Sequence, residues 1–247
     1  MKFILLPFWR LYVWFVWFPL GILLTAITAI GCIVGTTTGI RNINFLSWGP
    51  RWWSRAMLAL AFIRVKRTGF ENFQPKQSYV ITSNHQSAFD IWALYGYLPV
   101  TFSFIMKMEL RKLPLVGKAC EKLGHIYIDR SNPIKATESL RSAEKVLQGG
   151  HSVVIFPEGT RSKTGKVGAF KRGGFAVSTD LNLPVMPVSI SGSFERMAMN
   201  GKSVNPGTIT LTFHPSIMPA GKTEQDMKDL AKRTRDIVIS GLPQDKQ

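Results

Sequence analysis

The run Asn84-His85-Gln86-Ser87-Ala88-Phe89-Asp90 sets an imidazole five positions before a carboxylate in this 247-residue chain. A carboxylate on Nδ1 of a histidine fixes the ring tautomer, leaves Nε2 free to accept a proton, and stabilises the imidazolium that results. Such a pair can deprotonate a hydroxyl without a nucleophilic side chain of its own. On a continuous helix five positions amount to about 500° of rotation, so His85 and Asp90 would not share a face. A turn between them, with Ser87 as N-cap of a following helix, would return the carboxylate to Nδ1. Taken alone, this spacing favours a plainer reading, a histidine that caps a turn and an aspartate that starts a helix.

Positioning such a pair requires a strand before it and a helix after it. Ser78 to Ser83 is rich in β-branched and aromatic residues and suits a buried strand, and the apolar run Ile91 to Leu98 has the length of a short helix. His85 then stands at the C-terminal end of a strand, where open α/β sheets bind ligands. A second strand-like run, Ser152 to Ile155, leads into Phe156-Pro157-Glu158-Gly159-Thr160-Arg161-Ser162. Further blocks are Lys107-Met108-Glu109-Leu110 with Pro114 and Gly117, Gly124-His125-Ile126-Tyr127-Ile128-Asp129-Arg130, and Leu183-Pro184-Val185-Met186-Pro187-Val188-Ser189-Ile190.

Together, and in this order, these blocks resemble the glycerolipid acyltransferase superfamily, and within it the 1-acyl-glycerol-3-phosphate (lysophosphatidate) acyltransferases. The resemblance covers roughly residues 60 to 215. It implies a membrane-bound enzyme that moves a fatty acyl chain from an acyl-CoA or acyl carrier protein thioester to the sn-2 hydroxyl of lysophosphatidate, giving phosphatidate. His85 would be the general base and Asp90 its orienting partner. The alternative is the same chemistry on a different lysolipid acceptor, a lysophospholipid or a lyso-aminolipid. The resemblance also assigns acceptor phosphate binding to Arg161, Arg130 and Lys107. No cofactor is implied beyond the thioester co-substrate.

An alcohol is a poor nucleophile at neutral pH, and a positioned base contributes about 10²–10⁴-fold. A thiol leaves readily, so direct transfer without a covalent enzyme intermediate suffices. The developing oxyanion needs backbone N–H donors, for which the turn Glu158, Gly159 and Thr160 is the candidate. The alternative is that Pro157 and Gly159 only shape a loop. Glu158, set among cations, either anchors Arg161 or contacts polar groups of the acceptor. Lys163, Lys166, Lys171 and Arg172 form a further basic cluster, facing an anionic donor, lipid headgroups or simply solvent.

The formal net charge is +16, and its distribution is uneven: the first acidic residue is Glu71. Between Arg10 and Arg41 there is no charge, and Leu11 to Val34 is long enough to cross a hydrocarbon core of about 30 Å. Tyr12, Trp14 and Trp17 are the aromatics favoured at a membrane interface. A cleaved signal peptide is disfavoured because the apolar run far exceeds the usual 7–15 residues. A single crossing would place the following domain on the cytoplasmic side, at the inner membrane if the cell is bacterial. A helix that enters and returns within one leaflet ranks slightly higher. In that case Pro19 and Gly21 bend the first helix, and Gly35 to Gly39 reverse the chain. Trp48, Trp52, Trp53, Met57, Leu58, Leu60 and Phe62 would then line the interface, with Arg51 and Arg55 facing anionic headgroups.

The expected architecture is α/β: a single mixed-sheet domain flanked by helices over residues 63–243, preceded by N-terminal membrane helices over residues 1–62. Strands are expected at Ile63–Arg67, Thr101–Met106, His125–Ile128, Ser152–Phe156, Val185–Ser191 and Thr208–Phe213. Pro133–Gln148 reads as a helix stopped by Gly149-Gly150, and a capping box of Thr223 and Asp226 opens a final amphipathic helix. Cys32 and Cys120 read as reduced, inert thiols. The four histidines and two cysteines show no metal-ligand spacing, so no metal is expected. The segment Gly159 to Lys166 imitates a phosphate loop but spaces its glycines one residue too far and has Val167 where Ser or Thr is required. No nucleic-acid-binding module accompanies the basic charge, so membrane lipids rather than nucleic acid are the expected partners.

Overall fold

The computed structural model describes residues 2–40, 42–128, 147, 151–197 and 203–244. Its seven strands are β1 (Ile63–Thr68), β2 (Val80–Ser83), β3 (Phe102–Lys107), β4 (Ile126–Ile128), β5 (Ser152–Ile155), β6 (Val185–Ser191) and β7 (Gly207–Phe213). They form one sheet in the order β1-β7-β6-β2-β5-β3-β4. β2 lies at the centre, parallel to β5 on one side and β6 on the other. β7 pairs antiparallel with β6 and parallel with β1, so the sheet is mixed. All four residues of β2 are buried, as expected of a strand covered on both faces. The expected strands are present with ends shifted by a residue or two; His125 and Phe156 fall just outside theirs, at turns.

Alternate side chains divide between two cores, one on each face of the sheet. Ile81, Val154, Met186 and Val188 join the first core, which also holds Trp17, Met57 and Leu58 from the N-terminal helices and Phe89, Ala93 and Leu94 from α5 (Ala88–Tyr97). Val80, Val153 and Val185 point into the second core. There they meet Val167, Phe170 and Leu230, Ala231 and Val238 of the final helix, here α9 (Glu224–Ser240). Between β3 and β4, α6 (Val116–Lys122) packs on the N-terminal segment. α7 (Ala176–Leu181) precedes β6, and α8 (Ser193–Arg196) follows it. α9 opens with the expected box: Thr223 Oγ1 accepts from the Asp226 N–H at 3.1 Å and Asp226 Oδ2 accepts from the Thr223 N–H at 2.9 Å. The segment 129–146 and residues 148–150, which carry the expected Pro133–Gln148 helix, its glycine stop and Arg130, lie outside the described residues.

The N-terminal segment is α1 (Lys2–Tyr12), a π-helical turn (Val13–Trp17) and α2 (Phe18–Thr37), then α3 (Ile43–Leu46) and α4 (Trp48–Leu60). Its stretch Pro7–Thr37 is 31 residues, apolar enough to cross a membrane by length and composition. Three features refine the expected picture. First, the helix runs on through Pro19. The wider turn just before it shifts a hydrogen bond, the Phe18 N–H reaching back to the Val13 carbonyl, and the missing proline N–H is absorbed without a break. Gly21 lies within α2, where an added Cβ would come 2.7 Å from Met57 Cε, so glycine lets α2 approach α4. The reversal falls at Gly39, whose φ of +92° is the left-handed conformation glycine supplies.

Second, Met57 and Leu58 are core residues, 3% and 0% exposed, and only Trp48, Trp52 and Phe62 of the expected interfacial set are largely exposed. Third, Arg51 and Arg55 are committed inward. Arg51 Nη2 donates to the Val100 carbonyl at 2.6 Å and Arg55 Nε to the Gly96 carbonyl at 2.8 Å. Gly96 lies in the last turn of α5, whose carbonyls lack intrahelical donors and carry partial negative charge, so Arg55 caps the helix while Arg51 holds the loop that follows it.

Candidate active site

The site grows from the C-terminal end of β2. Asn84, buried, clamps this end to β6: its Nδ2 donates to the Ile190 carbonyl and its Oδ1 accepts from the Ile190 N–H, both at 2.8 Å. His85 follows. Its Nδ1 lies 2.9 Å from Asp90 Oδ2. The return of the chain is made by Ser87, N-cap of α5, whose Oγ accepts from the Phe89 N–H at 3.2 Å. Asp90 Oδ2 also accepts from the N–H groups of Gln86 at 2.6 Å and Ser87 at 2.7 Å. One fully buried oxygen thus caps the first turn of a helix and orients an imidazole, with the positive end of the helix dipole supporting its charge. The imidazole is further held by Phe156, stacked at 3.9 Å between centroids and 15° between planes. With Nδ1 engaged, Nε2 is the nitrogen left to meet a substrate.

The loop after β5 grips the same histidine through its backbone. The His85 N–H donates to Glu158 Oε1 at 2.7 Å, and the His85 carbonyl accepts from the Ser162 N–H at 2.8 Å. Glu158 Oε2 accepts from the Gly168 N–H at 2.8 Å. The carboxylate therefore ties three chain segments together, and among the described residues no ion pair joins it to Arg161, the anchor expected of it. Burial pushes its pKa up, against the two backbone N–H groups that favour the anion.

His85, Lys107, Gly159, Thr160 and Arg161 line one cavity of about 490 Å³. Asp90 stands directly behind His85, and Arg130 lies outside the described residues. The remaining wall is apolar, supplied by Ile91, Phe104, Ile105, Met106, Leu110 and Phe156. The oxyanion turn is redrawn. Gly159 has φ +78° and its N–H donates to the Phe156 carbonyl at 3.0 Å, so that donor is spent on the turn itself. The N–H groups of Thr160 and Arg161 have no hydrogen-bond acceptor among the described residues.

Four residues that position the site escaped the sequence reading: Asn84, Gln86, Phe156 and Gly168. Gln86 Nε2 donates to the Gly165 carbonyl at 2.5 Å and fastens the second loop to the first. Asn84 and Gln86 sit inside the histidine motif and are polar yet almost fully buried, which no single-sequence pattern reveals. Gly168 lies six residues past the second motif, in a stretch with no pattern that marks it.

This architecture, a His–Asp pair at the C-terminal edge of a mixed sheet with the aspartate buried and the histidine open to a cavity, defines a class. An acyltransferase family model matches residues 64–191, more than half of the chain, and the chain belongs to that family. Among its relatives is the 1-acyl-sn-glycerol-3-phosphate acyltransferase of Pseudomonas aeruginosa, 34% identical over 183 residues that make up 74% of this chain and 69% of the relative. The corresponding protein of Chlamydomonas reinhardtii is 32% identical over 193 residues, 77% of this chain and 56% of the relative. A chloroplast relative from Arabidopsis thaliana is spanned over only 44% of its length, so the chain corresponds to about half of these two longer proteins. The crystal structure of PlsC from Thermotoga maritima, a 1-acyl-sn-glycerophosphate acyltransferase, is similar with a TM-score of 0.69 and 25% identity, over 88% of this chain and 96% of that one.

Proposed function

We propose that the protein transfers an acyl group from a thioester to the sn-2 hydroxyl of 1-acyl-glycerol-3-phosphate, producing phosphatidate at a membrane surface. The observation that carries this reading is the cavity itself. Its lining combines a carboxylate-oriented imidazole, two cations, Lys107 and Arg161, and an apolar set that includes Ile91, Phe104, Ile105 and Phe156. A phosphate suits the cations, an acyl chain the apolar wall, and a hydroxyl the imidazole between them. The names of the relatives support the acceptor.

Nε2 of His85 takes the hydroxyl proton as the oxygen attacks the thioester carbonyl, and Asp90 stabilises the imidazolium. The N–H groups of Thr160 and Arg161, without an acceptor among the described residues, receive the oxyanion. Collapse expels the thiolate, which takes the proton from His85, and no acyl-enzyme forms. Residues 1–62 serve as the membrane element of the 63–243 domain. Phe8, Phe15, Ile22, Ile27 and Val34 of the first helices are exposed, while Trp17 and Cys32 pack inward. A helix fixed along the domain in this way favours insertion into one leaflet over a free-standing crossing, with the domain on the cytoplasmic side.

The test is purified protein in detergent with a panel of lysolipids and both CoA and carrier-protein thioesters. Transfer to lysophosphatidate is expected to exceed transfer to uncharged or zwitterionic acceptors; brisk transfer to another lysolipid and none to lysophosphatidate overturns the assignment. Arg161→Ala should raise the acceptor KM by about tenfold, the scale of a lost charge-assisted contact, with a smaller change in kcat.

A further inference from the structure

A second cavity, of about 500 Å³, lies between the N-terminal helices and the sheet domain. The helices contribute Val13, Trp17 and Ala26 to its lining, and the domain contributes Trp92 of α5 and the turn Pro114-Leu115-Val116. No charged residue lines it among the described residues. Its polar groups at Trp17 and Thr25 are already paired. Trp17 Nε1 donates to the Met57 carbonyl at 3.2 Å, and Thr25 Oγ1 accepts from Trp53 Nε1 at 3.0 Å while donating to the Gly21 carbonyl at 2.7 Å. Such a lining suits hydrocarbon and would leave a headgroup or a nucleotide without partners.

Both walls carry backbone conformations that cost energy. On the helical side the π-helical turn sets Val13, Trp14 and Trp17 against the cavity. On the domain side the Val116 N–H donates to the Pro114 carbonyl at 2.6 Å across Leu115, whose φ of +58° and ψ of −54° make a γ-turn of the rare, strained kind. A bulky residue stays in that region only where its surroundings hold it, and such strain gathers at ligand clamps, as π-turns gather at functional sites.

Position then names the occupant. Trp14, Phe18, Ile22 and Leu115, all in the lining, are 45% to 61% exposed, so the cavity opens among the side chains read above as the membrane element. It also adjoins the active site. α5 supplies Ala88 and Ile91 to the cavity at His85 and Trp92 to this one, and the stretch from Leu110 to Val116 passes from the first to the second. Acyl transfer to a 1-acyl acceptor brings two chains together, one on the thioester and one already on the glycerol.

We propose that this second cavity holds the sn-1 acyl chain of the acceptor, drawn sideways from the leaflet, while the apolar wall beside His85 takes the chain of the donor. The inference rests on the acyl-transfer reading above and adds a second lipid subsite to it. A chain that moves from bilayer hydrocarbon to protein hydrocarbon gains little hydrophobic energy. What the cavity supplies is placement, holding the glycerol hydroxyl at Nε2 of His85.

Two measurements on the full-length protein test this. Ala26→Phe and Val116→Phe, one from each wall, should lower the ratio of kcat/KM for palmitoyl- over octanoyl-lysophosphatidate by about tenfold, with the order of preference among donor chain lengths kept. A ratio within about twofold of wild type in both variants overturns the proposal, as does a change in donor preference in place of acceptor preference. The second measurement needs no variant: lysolipids with a diazirine at the chain end, carrying either a phosphate or a phosphocholine headgroup, are photolysed on the wild type in phosphatidylcholine nanodiscs. Labels are expected on Val13 to Ala26 and Pro114 to Val116, blocked by the unlabelled lysolipid and not by palmitoyl-CoA. Labels on Phe104 to Met106, labels blocked by palmitoyl-CoA, or labels that no lysolipid displaces each overturn it, the last by making the cavity a seat for bulk lipid. Labelling is read without turnover, so a failure to acylate lysophosphatidate sinks the acceptor assignment while the cavity is judged on its labels alone.

Discussion

Two histidines, His85 and His125, each stand in a motif block at a turn beside the sheet, and the environments they meet differ in kind. His85 has a carboxylate at Nδ1 and a cavity in front of it. His125 has Nδ1 accepting the Phe104 N–H at 3.1 Å and Nε2 3.0 Å from the Tyr95 hydroxyl, with Phe104 and Tyr95 closing over the ring. Burial, aided by the neighbouring His151, lowers the His125 pKa to about 3, so its proton count is fixed at neutral pH. The first arrangement can gain and return a proton in each turnover. The second spends one nitrogen on β3, at Phe104, and the other on Tyr95 of α5. Reactivity here is a property of the partner at Nδ1 and of access to Nε2, and the residue type decides neither.

The contrast is broken most directly at His85. His85→Ala should lower kcat by about 10²–10⁴-fold, the contribution of a positioned base, with membrane binding and unfolding midpoint retained. A loss of less than about tenfold would place the base elsewhere. Asp90→Asn comes next. The amide keeps an oxygen for one N–H of the helix cap but loses the charge that stabilises the imidazolium, so kcat should fall by about 10–10²-fold. Because Asp90 also caps α5, stability should fall by about 1 kcal/mol. Activity unchanged with stability lost would reduce Asp90 to a cap.

Glu158→Gln tests the backbone grip. A glutamine presents one acceptor oxygen where the carboxylate presents two, so the N–H of His85 or of Gly168 loses its partner. About tenfold in kcat is expected, with the acceptor KM within about twofold, because a displaced histidine backbone harms the transition state more than binding. A rise in KM alone would return Glu158 to the acceptor-binding role.

The sequence made these sites legible to different depths. His85, Asp90 and the Ser87 cap could be read because they lie within one turn, where spacing and capping chemistry are local. The phosphate-binding roles of Lys107 and Arg161 could be read only through motif resemblance, since two different strands, β3 and β5, bring them to the cavity that His85 opens at the end of β2. The loads on Glu158, Asn84 and Gln86 could not be read. Each satisfies a backbone group 73 to 106 positions away, or in the case of Gln86 79, and no local pattern encodes that separation. The strand positions followed from apolar runs, whereas the inward commitment of Arg51 and Arg55 followed from α5 ending where α4 passes. A charge beside exposed tryptophans looks like a headgroup ligand until the carbonyls it caps are placed.

The smallest effect on turnover, and the sharpest separation of the two histidines, is expected from His125→Asn. The asparagine oxygen can still accept the Phe104 N–H, so the site should keep kcat within about twofold, while the lost ring leaves space that costs about 1–3 kcal/mol. Its signature is in acid. In the unfolded chain a histidine takes up a proton near pH 6.5, whereas buried His125 stays neutral until about pH 3 and His151, by burial, until about pH 4. The unfolded state thus binds more protons through that window, and the stability these two histidines contribute is fully present above about pH 6.5 and is lost as pH falls toward 3. Removing His125 should flatten this loss, leaving the part due to His151, so urea midpoints of variant and wild type converge as the pH is lowered. Parallel midpoints from pH 7 to 4, or a tenfold fall in kcat at neutral pH, would show that His125 is a working part of the site and not a fixed strut beneath it.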